Sequence, residues 1–367
     1  MLHPSSFFSG HLAIAFGLAL AVVVSPTPVS AQELPPRPEA GSQVAADQAT
    51  PPPMRPAGTR PRIGLALAGG AARGIAHTGV LEWLEANRIP VDFIAGTSMG
   101  GLIGGAYASG LSPQEIRELM REVDWDNMFL ADSPYRFKTF RRKEDARKFP
   151  SQLKFGLKGG FRMPTGINPG QRIQWLLNRI ALPYGTMMSF DDLPTPFRCV
   201  ATDINKAEQV VLTSGSFPLA MRATMAIPGV FTPVKMGNYL LVDGGTLNNI
   251  PVDVVRAMGA DIVIAVNVAA DVEDEEGVEL SLLGVIGKTI DTMMAPPSRA
   301  ALKASDIVID PDLKGLGSLD WRRSDDLADR GLAAARLLES RLLQYQVDAD
   351  AFRAHQQVAE RAMDRND

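Results

Sequence analysis

The stretch Asp92-Phe-Ile-Ala-Gly-Thr-Ser-Met-Gly-Gly101 decides the fold. Its apolar part, Val91 to Ala95, predicts a buried strand, and the small residues that follow predict a helix. Between them lies a G-x-S-x-G pattern centred on Ser98. This is the layout of a nucleophile elbow, a sharp turn on which a serine hydroxyl projects from the sheet. Glycines at 96 and 100 would leave room for the close backbone packing of such a turn. The pattern also occurs in ordinary strand–turn–helix units, but its context favours a nucleophile.

Apolar strands and helical segments alternate along the chain on both sides of this turn. The predicted helices cover 75–87 and 99–109, and a capping box at Ser112–Glu115 begins a third. The predicted strands are 63–68, 91–95, 197–202, 209–213, 239–242 and 262–268. Such alternation predicts an α/β fold with a mostly parallel central sheet covered by helices.

The composition excludes several classes of function. The chain has 367 residues, of which 46% are hydrophobic, and its net charge of -4 gives no basic field for nucleic acid. The single cysteine, Cys199, cannot form an internal disulfide and is expected in the core. No cluster with metal-ligand spacing is present, so neither a metal nor a cofactor is expected.

The two ends of the chain differ from its middle. Apolar residues 12–24, followed by small residues at 29–31, predict a signal peptide over 1–31 and export to the periplasm or beyond. An uncleaved N-terminal membrane anchor is the alternative. Residues 32–61 are rich in proline and alanine and predict a linker, with order expected from Arg62. The folded domain is expected over 62–323, followed by a polar helical extension over 324–367.

Two stretches in the middle of the chain bear on lipid contact. Arg136 to Lys148 is strongly basic, with aromatic residues in and around it. We interpret it as a solvated loop, and the alternative is a surface for anionic lipid headgroups. Leu280 to Met294 is apolar and is interpreted as a packed helix, with a lid or lipid-facing element as the alternative. Peripheral membrane contact is therefore one partner hypothesis, and the oligomeric state is left open.

The Gly69-Gly-Ala-Ala-Arg-Gly74 turn follows the first strand and opens a helix. Its small residues would let several N–H groups point at one anion, such as the oxyanion of acyl transfer. Arg73 would add positive charge. A phosphate would suit the same turn. A dinucleotide site is the weaker interpretation, because Ala71 stands where the fingerprint requires its second glycine.

A serine nucleophile also needs a base, and histidine is scarce. His3 and His11 lie in the predicted signal, and His355 lies in the polar C-terminal segment. His77 precedes the serine and is expected to pack or hydrogen-bond locally. Histidine is therefore a poor candidate for the base.

A carboxylate is a better candidate. The strand ending at Asp243 delivers this aspartate to a turn formed by Gly244 and Gly245. An aspartate at a strand end is often only a turn former. Parallel strands, however, bring their C-termini to one edge, where Ser98 is also expected. A Ser98–Asp243 dyad, with the carboxylate taking the serine proton directly, is thus geometrically reasonable.

Taken together, these residues resemble the patatin-like phospholipases. The matching pieces are Leu67–Gly74, Gly96–Gly100 and Asp243–Gly245, with support from Ala223–Phe231 and Asn248–Pro251. They run in order through a motif core over 63–268. Residues 141–167 also look like bacterial secreted members, some of which carry a C-terminal β-barrel that this chain is expected to lack.

The resemblance implies a patatin-like three-layer α/β/α fold and a serine lipid acyl hydrolase. It implies Ser98 as nucleophile, Asp243 as proton acceptor, and phospholipids or other acyl-ester lipids as substrates. It also implies an oxyanion hole over Gly69, Gly70, Ala71, Arg73 and Gly74, with backbone donors at Gly70, Ala71 and Arg73. The family usually has a third glycine where this chain has Ala71. The Cβ of Ala71 is either tolerated or tightens the pocket. The alternative to a hydrolase is a non-catalytic lipid- or protein-binding module on the same fold.

Overall fold

The computed structural model describes residues 60–128, 168, 170–184, 188–269, 292 and 295–364. The predicted signal peptide, nearly all of the predicted linker, the basic stretch 136–148 and nearly all of the apolar stretch 280–294 lie outside these residues. Export, anchoring and the roles of both middle stretches therefore stay predictions.

Eight strands form the main sheet of the described chain, in the order β10-β9-β1-β2-β4-β8-β7, with β5 also paired to β4. Neighbouring strands are parallel from β10 to β4, whereas β5 and β8 are antiparallel to β4, and β7 to β8. β3 and β6 form a separate two-stranded ladder. The strand bounds are β1 Ile63–Leu67, β2 Phe93–Thr97, β3 Met188–Ser189, β4 Phe197–Asp203, β5 Glu208–Leu212, β6 Ser214–Gly215, β7 Val234–Met236, β8 Tyr239–Asp243, β9 Ile262–Val266 and β10 Ile307–Ile309.

Helices cover both faces of this sheet. The α-helices are α1 Ala76–Ala86, α2 Met99–Ala108, α3 Pro113–Glu122, α4 Trp125–Met128, α5 Gln171–Ile180, α6 Phe217–Thr224, α7 Val252–Ala257, α8 Ser324–Leu337, α9 Glu339–Leu342 and α10 Ala349–Asp364. Short 3₁₀ turns lie at Ala71–Ile75, Gly244–Thr246, Trp321–Arg323 and Leu343–Tyr345. Val255 of α7 packs on Gly64 of β1, whereas Leu67 of the same strand packs on Gly104 of α2. Because residues three apart in a strand point to opposite faces, α2 and α7 lie on opposite sides of the sheet. The predicted α/β architecture with a mostly parallel sheet is confirmed.

The path of β8 differs from the expectation. β5 pairs along one edge of β4 opposite Cys199–Asp203, so β2 and β8 must share the other edge. β2 ends with Thr97 opposite Val200, and β8 arrives antiparallel, with Asp243 opposite Ala201. The idea that Asp243 reaches the site as the end of another parallel strand is therefore wrong. The two strands instead meet head-on along β4.

Several local predictions hold with small shifts at the ends. The Ser112 hydroxyl accepts from the Glu115 N–H at 3.2 Å, and the Glu115 carboxylate accepts from the Ser112 N–H at 2.8 Å, which completes the capping box. Cys199 is fully buried in β4, and burial raises the pKa of its thiol well above the usual range, as expected for a core residue. Four strands were not anticipated from the sequence, namely β3, β6, β7 and β10.

The segment predicted as a C-terminal extension is helical, but its first helix is part of the core. α8 packs across α1, where Gly79 and Gly331 let the backbones approach closely. A Cβ at either glycine would lie 1.8 Å from a carbonyl oxygen of the other helix. Leu327 and Ala328 of α8 are fully buried. The domain therefore continues through α8 rather than ending at residue 323.

Within the described part of the chain, none of the helices combines the length and the apolar character needed to cross a bilayer.

Candidate active site

Ser98 lies on a strained turn between β2 and α2. Its backbone has φ 53° and ψ −121°, in the left-handed region that non-glycine residues rarely adopt. The turn is tight, since a Cβ at Gly96 would lie 2.3 Å from the Gly100 carbonyl oxygen. A Cβ at Gly100 would lie 2.3 Å from the Leu67 carbonyl oxygen. Both glycines of the pattern are thus sterically required, and the serine stands at the N-terminus of a ten-residue helix whose dipole favours negative charge.

Two side chains from elsewhere in the fold hold this turn. The Ser98 N–H donates to the Thr224 hydroxyl at 2.9 Å, and that hydroxyl donates to the Val200 carbonyl at 2.5 Å. Next to it, the Thr97 hydroxyl donates to the Asn248 carbonyl at 2.9 Å. The strained conformation is therefore fixed by hydrogen bonds to α6 and to the segment after β8.

Asp243 ends β8 directly against the serine. Its carboxyl group accepts from the Gly245 N–H at 2.8 Å, and the Ser98 hydroxyl lies close enough to lower its pKa. Only 7% of the residue is exposed, and burial raises the pKa of its carboxyl from 3.8 to about 6, against the lowering effect of these two neighbouring groups. Gly244 packs so closely on β4 that a Cβ would lie 2.3 Å from the Val200 carbonyl oxygen. The structure thus brings together the serine and the aspartate that the sequence singles out.

The Gly69–Gly74 turn also lies beside the serine, but only part of it can donate to a new anion. A Cβ at Gly69 would lie 2.9 Å from the Ser98 Cβ. The Gly69 N–H already donates to the Asn249 side-chain oxygen at 3.0 Å, and the Arg73 N–H donates to the Gly70 carbonyl at 3.1 Å. Arg73, one of the three predicted backbone donors, is therefore engaged within the turn, and Gly69 is engaged with Asn249.

The N–H groups of Gly70 and Ala71 have no acceptor among the described residues, so the candidate donors narrow to these two. Ala71 has φ 48°, a left-handed conformation that the family's usual glycine would adopt without strain. Gly74 lies inside the 3₁₀ turn, where a Cβ would meet the Met99 side chain at 2.4 Å. Its role is packing against the elbow rather than donation.

The Arg73 side chain has a different place from the expected one. It is 7% exposed, and its Nε donates to the Leu316 carbonyl at 2.8 Å. The Ala72 N–H donates to the Ser318 carbonyl at 3.1 Å in the same loop. Arg73 therefore fastens the turn to the 316–318 loop.

Neither described histidine competes with Asp243 for the role of base. His77 is fully buried and its Nε2–H donates to the Ala68 carbonyl at 2.8 Å, which confirms the predicted local role. Burial lowers its pKa to about 4, so the ring is neutral. The His355 ring bonds to the Val91 carbonyl at 3.1 Å, two residues before β2 begins. Seven residues of nearly extended chain, about 20 Å, separate that point from the serine.

A small apolar cavity opens at the serine. Its volume is about 20 Å³, and its lining residues are Ala71, Ser98, Met99, Ile173, Met225, Ile227, Phe231 and Trp321. Most of these are hydrophobic, so the walls suit an acyl chain better than a polar group. None of the described residues forms a group of three or more His, Cys, Asp or Glu side chains placed to hold a metal ion.

Sequence reasoning missed several residues of this site. Thr224, Met225, Ile227 and Phe231 all fall in the 223–231 stretch that supports the family resemblance, and Asn249 falls in the 248–251 stretch. Membership of these two motifs was the only sequence signal for these residues. It does not indicate which atoms they contact. Ile173 and Trp321 lie outside the motifs and carried none.

The fold and this geometry define an α/β protein with a strained serine elbow at the sheet edge. The model of the patatin-like phospholipase family matches residues 65–256, more than half of the chain. The chain therefore belongs to the patatin-like phospholipase family, a class of lipid ester hydrolases.

Two curated sequence relatives agree with this assignment. The chain is 33% identical over 246 residues to the patatin-like phospholipase domain-containing protein ZK370.4 of Caenorhabditis elegans, covering 64% of this chain and 16% of that protein. It is 34% identical over 209 residues to lysophospholipase NTE1 of Mycosarcoma maydis, covering 57% and 10% respectively. It thus spans only a small part of these curated relatives. VipD from Legionella pneumophila is a structural neighbour with TM-score 0.44 and 15% identity, covering 78% of this chain and 67% of that one.

Proposed function

We propose that the chain is a serine lipid acyl hydrolase that cleaves carboxylic ester bonds of phospholipids or related lipids. The observation that carries this proposal is the placement of the Ser98 hydroxyl beside the buried Asp243 carboxyl, at the wall of an apolar cavity. A buried carboxyl with a raised pKa beside a nucleophile is typical of a general base. Family membership and the name of the lysophospholipase relative support a lipid ester as the substrate.

In the first half of the reaction, Asp243 takes the proton from the Ser98 hydroxyl as the oxygen attacks the ester carbonyl carbon. The oxyanion that forms would accept hydrogen bonds from the N–H groups of Gly70 and Ala71, aided by the dipole of α2. Burial of Asp243 supports this transfer, because its raised pKa makes the carboxylate a stronger base than an exposed aspartate.

In the second half, the tetrahedral intermediate expels the alcohol part of the lipid, and Asp243 returns its proton to that oxygen. An acyl group then remains on Ser98. A water molecule enters, gives a proton to Asp243 and attacks the acyl carbon, and collapse releases the fatty acid with the proton returned to Ser98. Both steps use the same base and the same donors.

The test is hydrolysis of a panel of phospholipids and lysophospholipids by the wild type, Ser98→Ala and Asp243→Asn. We expect the serine variant to lose turnover and covalent labelling by a fluorophosphonate, and the aspartate variant to lose at least about 100-fold in kcat, as when a general base is removed. Ser305→Ala is the matched control, because the Ser305 hydroxyl bonds only to the nearby Leu302 carbonyl among the described residues. Undiminished turnover by a folded Ser98→Ala variant would disprove the proposal.

The same panel separates this function from the non-catalytic alternative. A binding module on this fold would bind lipid vesicles, give no turnover with any ester, and leave Ser98 unlabelled. Turnover that disappears in both site variants would exclude it.

A further inference from the structure

A second and larger cavity adjoins the one at the serine. Its volume is about 560 Å³, within the range of small-molecule sites. Residues of α5, of α6 and of the segment that leads into β7 line it. Its lining residues are Gly170, Gln171, Gln174, Trp175, Asn178, Leu219, Arg222, Thr232, Pro233 and Val234.

Among the described residues that line this cavity, Arg222 is the only charged one. The residue is 3% exposed, and its Nη1 has no hydrogen-bond acceptor among the described residues. Its Nη2 makes one long bond, 3.4 Å, to the Thr232 carbonyl. Burial lowers the pKa of the guanidinium to about 10. A buried cation without a carboxylate is costly, so an acceptor for this group is expected.

The surroundings of Arg222 add to its positive potential. Gly170 has φ 73° and lies against the guanidinium so closely that a Cβ would be 2.3 Å from Nε. It immediately precedes α5, a helix of ten residues, so the first N–H groups of that helix begin beside the arginine. No carboxylate of the described chain forms an ion pair with Arg222 or lines the cavity. An arginine fork and a helix N-terminus together are well suited to an oxyanion with several acceptor oxygens.

The two cavities are separated by a thin wall. Phe231 lines the serine cavity, and the Arg222 guanidinium lies 4.7 Å from the centroid of its ring. Ile173 faces the serine cavity while the next residue, Gln174, faces the larger one. A ligand that extends past this wall could place an ester at Ser98 and an anion at Arg222. Only the short glycerol backbone separates these two groups in a glycerophospholipid.

We propose that the cavity at Arg222 binds a phosphate group, and that during turnover this is the phosphodiester of the lipid whose ester lies at Ser98. The proposal rests on the proposed function, since it names the substrate as a phosphate-bearing rather than a neutral acyl ester. Arg222 is then a substrate-binding residue, and Gln174 lies at the rim of its cavity.

The test compares two substrates with the same acyl chain, lysophosphatidylcholine and the neutral monoacylglycerol. Gln174→Glu places a negative charge at the rim without altering the core, and we expect it to lower kcat/KM for the lysophospholipid about 3- to 10-fold. Gln174→Lys should have the opposite effect, and in both variants kcat/KM for the monoacylglycerol should change less than kcat/KM for the lysophospholipid. Gln344→Glu, the same charge change on an exposed residue of the C-terminal segment, is the control.

Arg222→Met removes the charge but keeps an unbranched apolar side chain. We expect a loss of about 10- to 100-fold for the lysophospholipid, the usual range for a charged hydrogen bond, and a much smaller loss for the neutral ester. Equal losses on both substrates would show a merely structural arginine. Unchanged selectivity in the two Gln174 variants would overturn the proposal even if Arg222→Met fails to fold.

Competition distinguishes the source of the phosphate. Inhibition of lysophospholipid hydrolysis by glycerophosphocholine alone would identify a headgroup site, whereas inhibition by inorganic phosphate as well would identify a general phosphate site. Inhibition by neither would count against phosphate binding.

Failure of the proposed hydrolase function can be distinguished from failure of the phosphate site. If Ser98→Ala leaves turnover intact, hydrolysis by this site is excluded. Protection of the wild type by phosphate in a thermal unfolding assay, reduced in Gln174→Glu, would still support the anion site, and its absence would oppose it.

Discussion

Replacing Thr224 by valine should both destabilise the protein and disable the elbow. The hydroxyl of Thr224 is the acceptor for the Ser98 N–H and the donor to the Val200 carbonyl. Valine has the same shape without the hydroxyl, so it leaves one N–H and one carbonyl buried without these partners. Each such orphan costs about 1–3 kcal/mol, which gives a loss of about 2–6 kcal/mol.

This loss is large in two respects. It is a substantial fraction of the roughly 5–15 kcal/mol that stabilises a typical domain. The part lost at the Ser98 N–H, about 1–3 kcal/mol, is as large as the strain of about 1–3 kcal/mol stored in a left-handed non-glycine residue, so the Ser98 backbone would be free to relax. A relaxed serine would no longer direct its hydroxyl at Asp243. Stability and reactivity should therefore fall together.

The assay measures the thermal midpoint and the rate of fluorophosphonate labelling on the same preparations. At about 2–4 °C per kcal/mol, we expect the midpoint of Thr224→Val to fall by roughly 5–20 °C. Labelling should slow at least about 10-fold, because each 1.4 kcal/mol of lost transition-state stabilisation is tenfold in rate. Thr224→Ser is the control, since it keeps both hydrogen bonds and loses only a methyl group that packs on Gly101, worth about 1 kcal/mol. Equal behaviour of the two variants would refute the reasoning.

The same site gives three further predictions. Because the base must be ionised, kcat/KM should rise with pH through about 6 and level off above about 7; Asp243→Asn should abolish the rise. The raised pKa means that the folded state holds this proton more tightly than the unfolded chain. Asp243 thus lowers stability by about 3 kcal/mol as pH rises from about 4 to above 6, which pH-dependent urea unfolding of wild type against Asp243→Asn would reveal. Ala71→Gly should relieve the left-handed strain at φ 48° and stabilise the fold by up to about 1 kcal/mol while keeping the N–H donor. A clear loss of stability in chemical unfolding would show that the strain is absent.

The elbow was predictable because its chemistry is local. A strand, a serine with a glycine two residues away on either side and the start of a helix lie within ten consecutive residues. Gly96 and Gly100 contact backbone nearby or on the adjoining strand. The shortage of histidines was equally visible, and it directed attention to Asp243. Asp243 does lie beside Ser98, as predicted, although the strand that carries it is not parallel to its neighbour in the sheet.

The direction of β8 could have been found from one further signal. Gly237 and Asn238 separate β7 from β8, and a two-residue Gly-Asn turn is typical of a tight hairpin. Gly237 has φ 56°, as such a turn requires. A hairpin at this turn predicts β8 as antiparallel to β7, as the structure has it.

Other parts of the site could not have been predicted. The Asn249 side chain accepts a hydrogen bond from the Gly69 N–H although 180 residues separate the two in sequence. The Thr224 hydroxyl accepts one from the Ser98 N–H across 126 residues. Hydrogen bonds of this kind depend on how distant segments pack, and no local pattern reports them. For the same reason the sequence named five residues of an oxyanion turn, whereas the packed structure leaves two N–H groups for the task.

Because the C-terminal ends of β2 and β8 meet along β4, their pairing with β4 sets the distance between the two residues of the candidate dyad. Thr97 and Asp243 lie opposite consecutive residues of β4, so the spacing of the two reactive side chains is set by one backbone step. Loops that enter or leave these strands can change in length and reshape the walls of both cavities without altering that spacing. A single residue inserted between Val200 and Ala201 would instead move one strand end away by about 3.3 Å and turn the pleat over. Changes of chain length in this scaffold should therefore accumulate in the loops around β4 and should not occur between Val200 and Ala201.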